Sequence, residues 1–301
     1  MLAIVIPYYK LTFFEATLQS LALQTNQCFK VYVGDDASPE DPSILIDQYK
    51  SQLNMMYHRF DENYGGVALS KQWERCIALT HEEPWIMILG DDDYLTPNVV
   101  QDFFEHLGII SKEKIKVVRF ATKVVNAKGE SNNMIYTHPV IELSTNAYYR
   151  HYNCETRSSL SEYIFSRESF DEFKFKNFPL AWHADDLAWL EFSNCGSIYT
   201  VNQSTVIIRL SHLNISGRTD NQFLKQKARF LFFKTIVLNS KFKFLKKHKI
   251  QFLFEFGILI TEQNAVTLKN VFQVFFQFLQ IGEFYNGMRF LRRMICAKQN
   301  K

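Results

Sequence analysis

An α/β fold, with a mostly parallel central sheet flanked by helices and a helical C-terminal extension, is predicted by three features of this 301-residue sequence. Through the first 110 residues, short apolar runs rich in β-branched and aromatic residues alternate with amphipathic stretches, the rhythm of βαβ units. Carboxylates cluster where the apolar runs end. Beyond residue 220, strand-like alternation stops and helical spacing takes over.

The predicted strands of the first part are Leu2–Ile6, Phe29–Val33, Met55–Phe60 and Trp85–Leu89. Between them Leu11–Gln24, Asp41–Leu53 and Val67–Leu79 place apolar residues three and four apart, as helices packed on a sheet do. Right-handed crossovers bring all four strand C-termini to one edge, where open α/β sheets bind ligands. A helix over Asn98–Ile110 follows, then strands at Ile115–Val125 and Met134–Leu143 joined by a polar turn over Asn126–Asn133, so the sheet is mixed. Leu180–Phe192 reads as a helix, and Ser197–Val201 with Thr205–Leu210 as a returning strand pair.

With 47% hydrophobic and 22% charged residues, the chain can bury a full core. The five cysteines have no CxxC or Cys/His ligand spacing, so neither a zinc site nor a disulfide framework is indicated. The opening MLAIVIPYYK has no basic n-region and its apolar run breaks at Pro7, a poor pattern for a signal peptide and a good one for a first strand. No uninterrupted apolar run reaches the length of a membrane-spanning helix. The net charge of +3 hides an asymmetry: residues 221–301 hold 15 Lys/Arg against 3 Asp/Glu, the remainder 19 against 28. The basic end also carries 15 of the 28 phenylalanines. Two readings fit it: a helical bundle packed on the body, or peripheral contact with an anionic membrane. Nucleic acid is not an expected partner, since no recognisable binding motif accompanies the charge.

Three acidic constellations carry the candidate chemistry. In VYVGDDASPED, Asp35 and Asp36 leave a strand into a turn, placed to accept hydrogen bonds from a nucleobase or ribose, or to cap the helix beginning near Pro42. In WIMILGDDDYLTPN, a strand runs into Asp91, Asp92 and Asp93. Three adjacent carboxylates repel unless a cation or donors offset them, which points to a divalent metal; the other reading is a cap before Thr96-Pro97. In AWHADDLAWLEF, Asp185 and Asp186 open an amphipathic helix, either as a general base toward an acceptor hydroxyl or as dipole-favoured helix-start acids.

Together these segments resemble family 2 glycosyltransferases of the GT-A fold, a Rossmann-like architecture, over roughly residues 1–217. IVIPYYK is similar to the family's opening strand, TLQSLALQTNQCFKVYVGDDASPED to its first helix, second strand and acidic turn, and DENYGGVALSKQW to its glycine-containing turn. ILGDDDYLTPN resembles the DxD region and ADDLAWL the late base motif. The sequence departs from the family pattern at Lys10 and Gln72, where Asn is usual, at Ala37, where Gly is usual, and at Gly90, where Asp is usual.

The resemblance implies a metal-dependent enzyme that uses Mn²⁺ or Mg²⁺ to move a sugar, with inversion, from a nucleoside diphosphate donor, a UDP-sugar being the common case, to a saccharide or lipid-linked hydroxyl in cell-surface polysaccharide synthesis. It implies Asp93 as the metal ligand, with His212 a candidate metal or phosphate contact. Pro7, Tyr9, Asp35, Asp36, Gly65, Gly66, Asp91, Asp92 and Arg209 would lie around the donor, and Asp186, or failing that Asp185, would be the base. It divides the chain into a catalytic domain over 1–220, nucleotide-binding to about 97 and acceptor-facing from about 98, and the extension over 221–301. The scattered cysteines and the poor signal-peptide pattern make a cytoplasmic location the expectation, with peripheral membrane contact through the basic end as an option. Asp93→Ala is expected to abolish metal-dependent transfer with the fold intact. Two rivals are a sugar-phosphate nucleotidyltransferase, which would want a glycine-rich basic loop that PYYKLTFFEA lacks, and a non-catalytic sugar-nucleotide binding module.

Overall fold

A computed structural model describes residues 1–211, 217 and 219–299, with side chains through residue 296. Its strands are β1 (Leu2–Tyr8), β2 (Phe29–Asp35), β3 (Met55–Arg59), β4 (Trp85–Ile88), β5 (Tyr94–Leu95), β6 (Val117–Asn126), β7 (Ile135–Tyr136), β8 (Ile141–Leu143), β9 (Tyr163–Ser166) and β10 (Ser197–Leu210). Its helices are α1 (Phe14–Ala22), α2 (Ser43–Tyr49), α3 (Gly65–Ile77), α4 (Val99–Lys112), α5 (Ser144–Tyr152), α6 (Arg167–Phe173), α7 (Ala184–Phe192), α8 (Gln222–Leu238), α9 (Lys246–Glu262), α10 (Leu268–Gln280) and α11 (Phe284–Gln299).

The sheet runs β3-β2-β1-β4-β9-β6-β10-β5, with β7 on β6 and β8 on β10. β3, β2, β1 and β4 are mutually parallel, so their C-termini share one edge. β9 runs antiparallel between β4 and β6, which brings its N-terminal approach to that same edge. β10 lies parallel to β6 and delivers its C-terminal Arg209 there.

β1 shows why both faces must be covered. Leu2, Ile4 and Ile6 join one apolar core with Phe14, Leu18, Ile46 and Phe103 of α1, α2 and α4. Ala3 and Val5, pointing the other way by the two-residue period of a strand, join a second core with Trp73, Leu187, Phe232 and Phe252. The second core continues without a break into the C-terminal helices. Tyr148 of α5 sits 5.1 Å from Phe232 and 5.6 Å from Phe252 between ring centroids, so α8 and α9 pack on the body through the phenylalanines that make this end unusual.

Three expectations for the second half differ from what is found. Met134–Leu143 is not one strand: it divides into β7 and β8 around the segment holding Pro139, which has no N–H to give a ladder. The expected strand pair at 197–210 is a single strand, β10, whose register against β6 shifts between Val201 and Thr205. The polar Asn202-Gln203-Ser204 that reads as a turn is accommodated as an irregularity within the strand. The helix expected from Leu180 begins at Ala184, and Leu180, Ala181 and His183 before it all hold positive φ (58°, 51° and 65°). Ala37 also has a φ of 52°, in the left-handed region that glycine tolerates without cost. Ala37→Gly should therefore stabilise the protein by about 0.5–1 kcal/mol once glycine's greater unfolded-state entropy is deducted; an unchanged or lower Tm would contradict this.

Candidate active site

The acidic cluster follows β4 directly. Because β5 and the turn after it separate the cluster from α4, whose first residue is Val99, none of Asp91, Asp92 and Asp93 caps that helix. Asp91 reaches back to the end of β1, where its Oδ2 accepts the backbone N–H groups of Tyr9 and Lys10 at 2.7 and 2.8 Å. Asp93 is buried; its Oδ1 accepts the backbone N–H of Arg209 at 2.9 Å and its Oδ2 the Ser161 hydroxyl at 2.5 Å. One carboxylate thus ties β4, β10 and the approach to β9 together.

Gly90 explains its own identity. A Cβ there would fall 3.0 Å from both Asp92 Oδ1 and Asp93 Oδ2, so a side chain at 90 would displace the two acids that follow. Burial first, and the charge of Asp92 second, push Asp91 up to about 7 and Asp93 up to about 8. The neighbourhood therefore disfavours this much negative charge, which is the condition a bound cation relieves. Among the described residues no group of three or more His, Cys, Asp or Glu side chains is arranged to hold a metal alone. The hard oxygen atoms Asp92 Oδ1 and Asp93 Oδ2, brought together beside Gly90, nevertheless suit Mg²⁺ or Mn²⁺, which is commonly held by one or two carboxylates with substrate phosphates completing the shell. His212 lies outside the described residues.

Arg209 is buried, with its guanidinium 4.3 Å above the Phe13 ring and directed to the backbone carbonyls of Asp92, Asn126 and Ala127 at 3.2, 3.3 and 3.4 Å. It clamps the loop that carries the acids.

At the end of β2 the carboxylates are engaged by the protein. Asp35 is 0% exposed, accepting from Ser38 N–H at 2.8 Å, Tyr57 hydroxyl at 2.6 Å and Arg59 at 2.8 Å. Asp36 does not cap α2; it crosses to the start of α3, accepting the N–H groups of Tyr64 and Gly65, each at 2.7 Å, and pairing with Arg75. This carboxylate satisfies orphan donors at a helix N-terminus and complements its dipole. Gly65 is required by the approach, since a Cβ there would lie 2.6 Å from Asp36 Oδ2. Gly66 stands similarly against Asn63, whose side-chain oxygen accepts the Gly66 N–H at 2.8 Å. Pro7 lies within β1, paired with Gly34 of β2, and Tyr9 follows the strand, its carbonyl accepting the Ser38 hydroxyl at 2.6 Å.

Asp185 and Asp186 occupy the first turn of α7 but differ sharply. Asp186 is buried and held by two imidazoles, His151 Nδ1 at 3.1 Å and His183 Nδ1 at 2.7 Å. Burial alone would raise Asp186; the charge and hydrogen bond of His151, with the hydrogen bond from His183, outweigh it and hold the carboxyl well below its usual range. Burial likewise works against the charged form of His151, yet Asp186 brings it up to about 9. Asp185 is half-buried, and burial followed by the charge of Asp186 raises it to about 7 against the lowering effect of the Asp186 backbone N–H.

The segment from Arg157 to Tyr163 joins the two acidic regions. Ser161 holds Asp93, while Arg157, Ser158 and Tyr163 line a cavity of about 10 Å³ together with Asp186, His151 and Trp189. That is room for roughly one water. Ser161, Arg157, His151 and Arg75 were not singled out from sequence. His183 was within reach, since a histidine three residues before an acid at a helix start can bond it; nothing in SSLSEY marks Ser161.

The model of glycosyl transferase family 2 matches residues 3–172, more than half the chain. The chain belongs to this family. It is 24% identical over 136 residues to the poly(ribitol-phosphate) beta-N-acetylglucosaminyltransferase TarS of Staphylococcus aureus, a match spanning 44% of this chain and 22% of the length of that relative. The solved structure of S. aureus TarS residues 1–349 with UDP-GlcNAc superposes with a TM-score of 0.64 at 16% identity, covering 93% of this chain and 80% of that one. The mannosyltransferase PcManGT of Pyrobaculum calidifontis, solved with GDP-Man and Mn²⁺, superposes with a TM-score of 0.57 at 11% identity, covering 98% and 75%. The fold is the GT-A fold, as the resemblance implied.

Proposed function

We propose that this protein transfers a sugar from a nucleoside diphosphate donor to an acceptor hydroxyl with inversion. The observation that carries the reading is the segment from Arg157 to Tyr163, which links the metal-type acids after β4 to the base-type acids of α7. A UDP-sugar is the proposed donor, in keeping with the UDP-GlcNAc bound by the TarS structure, and a hydroxyl-bearing cell-surface polymer or lipid-linked saccharide is the proposed acceptor.

In this reading Asp35 and Asp36 act by shaping the turn over which the nucleobase lies, because their oxygens already serve Ser38, Tyr57, Arg59, Tyr64, Gly65 and Arg75. Asp91 fixes the end of β1 against the acidic loop. Asp93, with Asp92, would hold a divalent cation, which when bound supplies charge neutralisation for the departing diphosphate. Asp185 takes the proton from the acceptor hydroxyl at its carboxylate oxygen. Asp186, gripped by His151 and His183, sets the start of α7 and keeps Asp185 basic through its charge.

Slow hydrolysis separates this from a binding module: with Mn²⁺ the protein should release UDP from at least one UDP-sugar and should stop doing so on EDTA addition. Thermal stabilisation by nucleotide sugars with no turnover in any donor would leave the binding module as the better reading.

A further inference from the structure

The outward side of α10 is apolar where solvent should be met. Leu268, Phe272, Phe276 and Leu279 recur at four-, four- and three-residue intervals and are 75%, 60%, 57% and 40% exposed. The opposite side of the same helix is correctly filled. Val274 and Phe278 belong to the second core, with Phe278 5.1 Å from Phe254 and 5.9 Å from Phe290 between centroids. Gly287 lets α11 approach so closely that a Cβ there would meet the Phe275 ring at 3.0 Å. The outer stripe is therefore a second apolar face on a helix whose first face is already satisfied. Phe284, Met288 and Ile295 of the neighbouring α11 are exposed as well. Soluble proteins rarely leave so many large apolar side chains together in water without a partner.

The charge around the stripe identifies the partner. α10 and α11 contain no acidic residue, while Lys269, Arg289, Arg292 and Arg293 stand exposed on them. Of the three acids after residue 220, Glu255 is paired with Arg229 at 2.6 Å and Glu283 with Lys246 at 2.8 Å. A second copy of the chain would set two segments of charge +12 against each other, whereas an anionic surface complements both the charge and the apolar stripe. No helix among the described residues is long and apolar enough to cross a membrane, so contact would be in the plane of the interface. We propose that the outer face of α10, with the adjoining flank of α11, docks on an anionic lipid bilayer. The proposal is independent of the catalytic reading.

The test is sedimentation of the full chain with phosphatidylcholine vesicles and with phosphatidylcholine–phosphatidylglycerol vesicles at low salt, comparing wild type, a Phe272→Ser/Phe276→Ser variant and a Lys269→Glu/Arg292→Glu variant. The expected result is binding to the anionic vesicles only, weakened by about tenfold or more in each variant, with circular dichroism melting curves unchanged because all four side chains face outward. Wild-type protein staying in the supernatant with anionic vesicles would overturn the proposal, as would undiminished binding by the phenylalanine variant. A dimer in solution that the phenylalanine substitutions dissolve, without vesicle binding, would assign the face to a second copy instead.

Discussion

Asp93→Asn should lower kcat for transfer by about 10³-fold or more, because in the proposed reading Asp93 would hold a cation that supplies several kcal/mol of stabilisation, and about 1.4 kcal/mol corresponds to each factor of ten. The fold should survive at a measurable cost. Asp93 accepts from Arg209 N–H and the Ser161 hydroxyl inside the protein, and Asn retains one carbonyl acceptor where Ala would leave both donors buried and unmet. The stability loss expected for Asn is about 1–2 kcal/mol, larger for Ala. The sequence-based expectation of an intact fold for Asp93→Ala thus needs this adjustment: the residue is a structural tie as well as a ligand candidate. Asp91→Asn is the control, since its one oxygen already engaged with Tyr9 and Lys10 N–H can be supplied by the amide carbonyl. Metal-stimulated activity equal to wild type in Asp93→Asn, measured with urea titration of the same preparation, would remove Asp93 from the metal site.

The first four strands are legible because each is an unbroken apolar run, and an unbroken run is what a strand covered on both faces requires. The placement of Asp91–Asp93 at a ligand-binding edge follows from that alone. What the chain does with those acids is not legible in the same way. Asp36 is consumed by Arg75 and the start of α3, contacts 39 and 29 residues away in sequence. Asp93 is bonded to Ser161, 68 residues on, in a stretch with no compositional signature. The second half misleads for a local reason: Asn202-Gln203-Ser204 has turn chemistry, but pairing with β6 on either side of it keeps β10 continuous. The positive φ values at Leu180 and Ala181 are equally invisible, since neither residue type favours them; His183 alone is of a type enriched there. Such strain survives only where surroundings enforce it. Here the stacking of His183 on Phe232 of α8, with centroids 4.8 Å apart, shows that the C-terminal helices help to hold the loop that presents Asp185 and Asp186.

That loop leads to the most discriminating result expected of the protein. Sequence resemblance favours Asp186 as the base, while the structure makes it a poor proton acceptor: two histidines occupy its oxygens and its affinity for a proton is depressed. Asp185, raised to about 7, lies near neutrality, where a general base is most effective in a neutral solution. Asp185→Asn should therefore lower kcat by about 10²–10⁴-fold with little change in KM for the donor. In wild type the base must be deprotonated to act, so kcat/KM should fall as pH drops below about 7. Asp186→Asn acts differently. Removing its charge removes the second-largest of the three causes that raise Asp185, after burial and before the charge of Glu162, so the acid limb should move to lower pH, and His151, deprived of its partner, should lose most of its upward shift. Activity should drop but persist, with a displaced pH profile. Were Asp186 the base, Asp186→Asn would abolish transfer at every pH and Asp185→Asn would retain it, so one pair of pH–rate profiles assigns the proton acceptor.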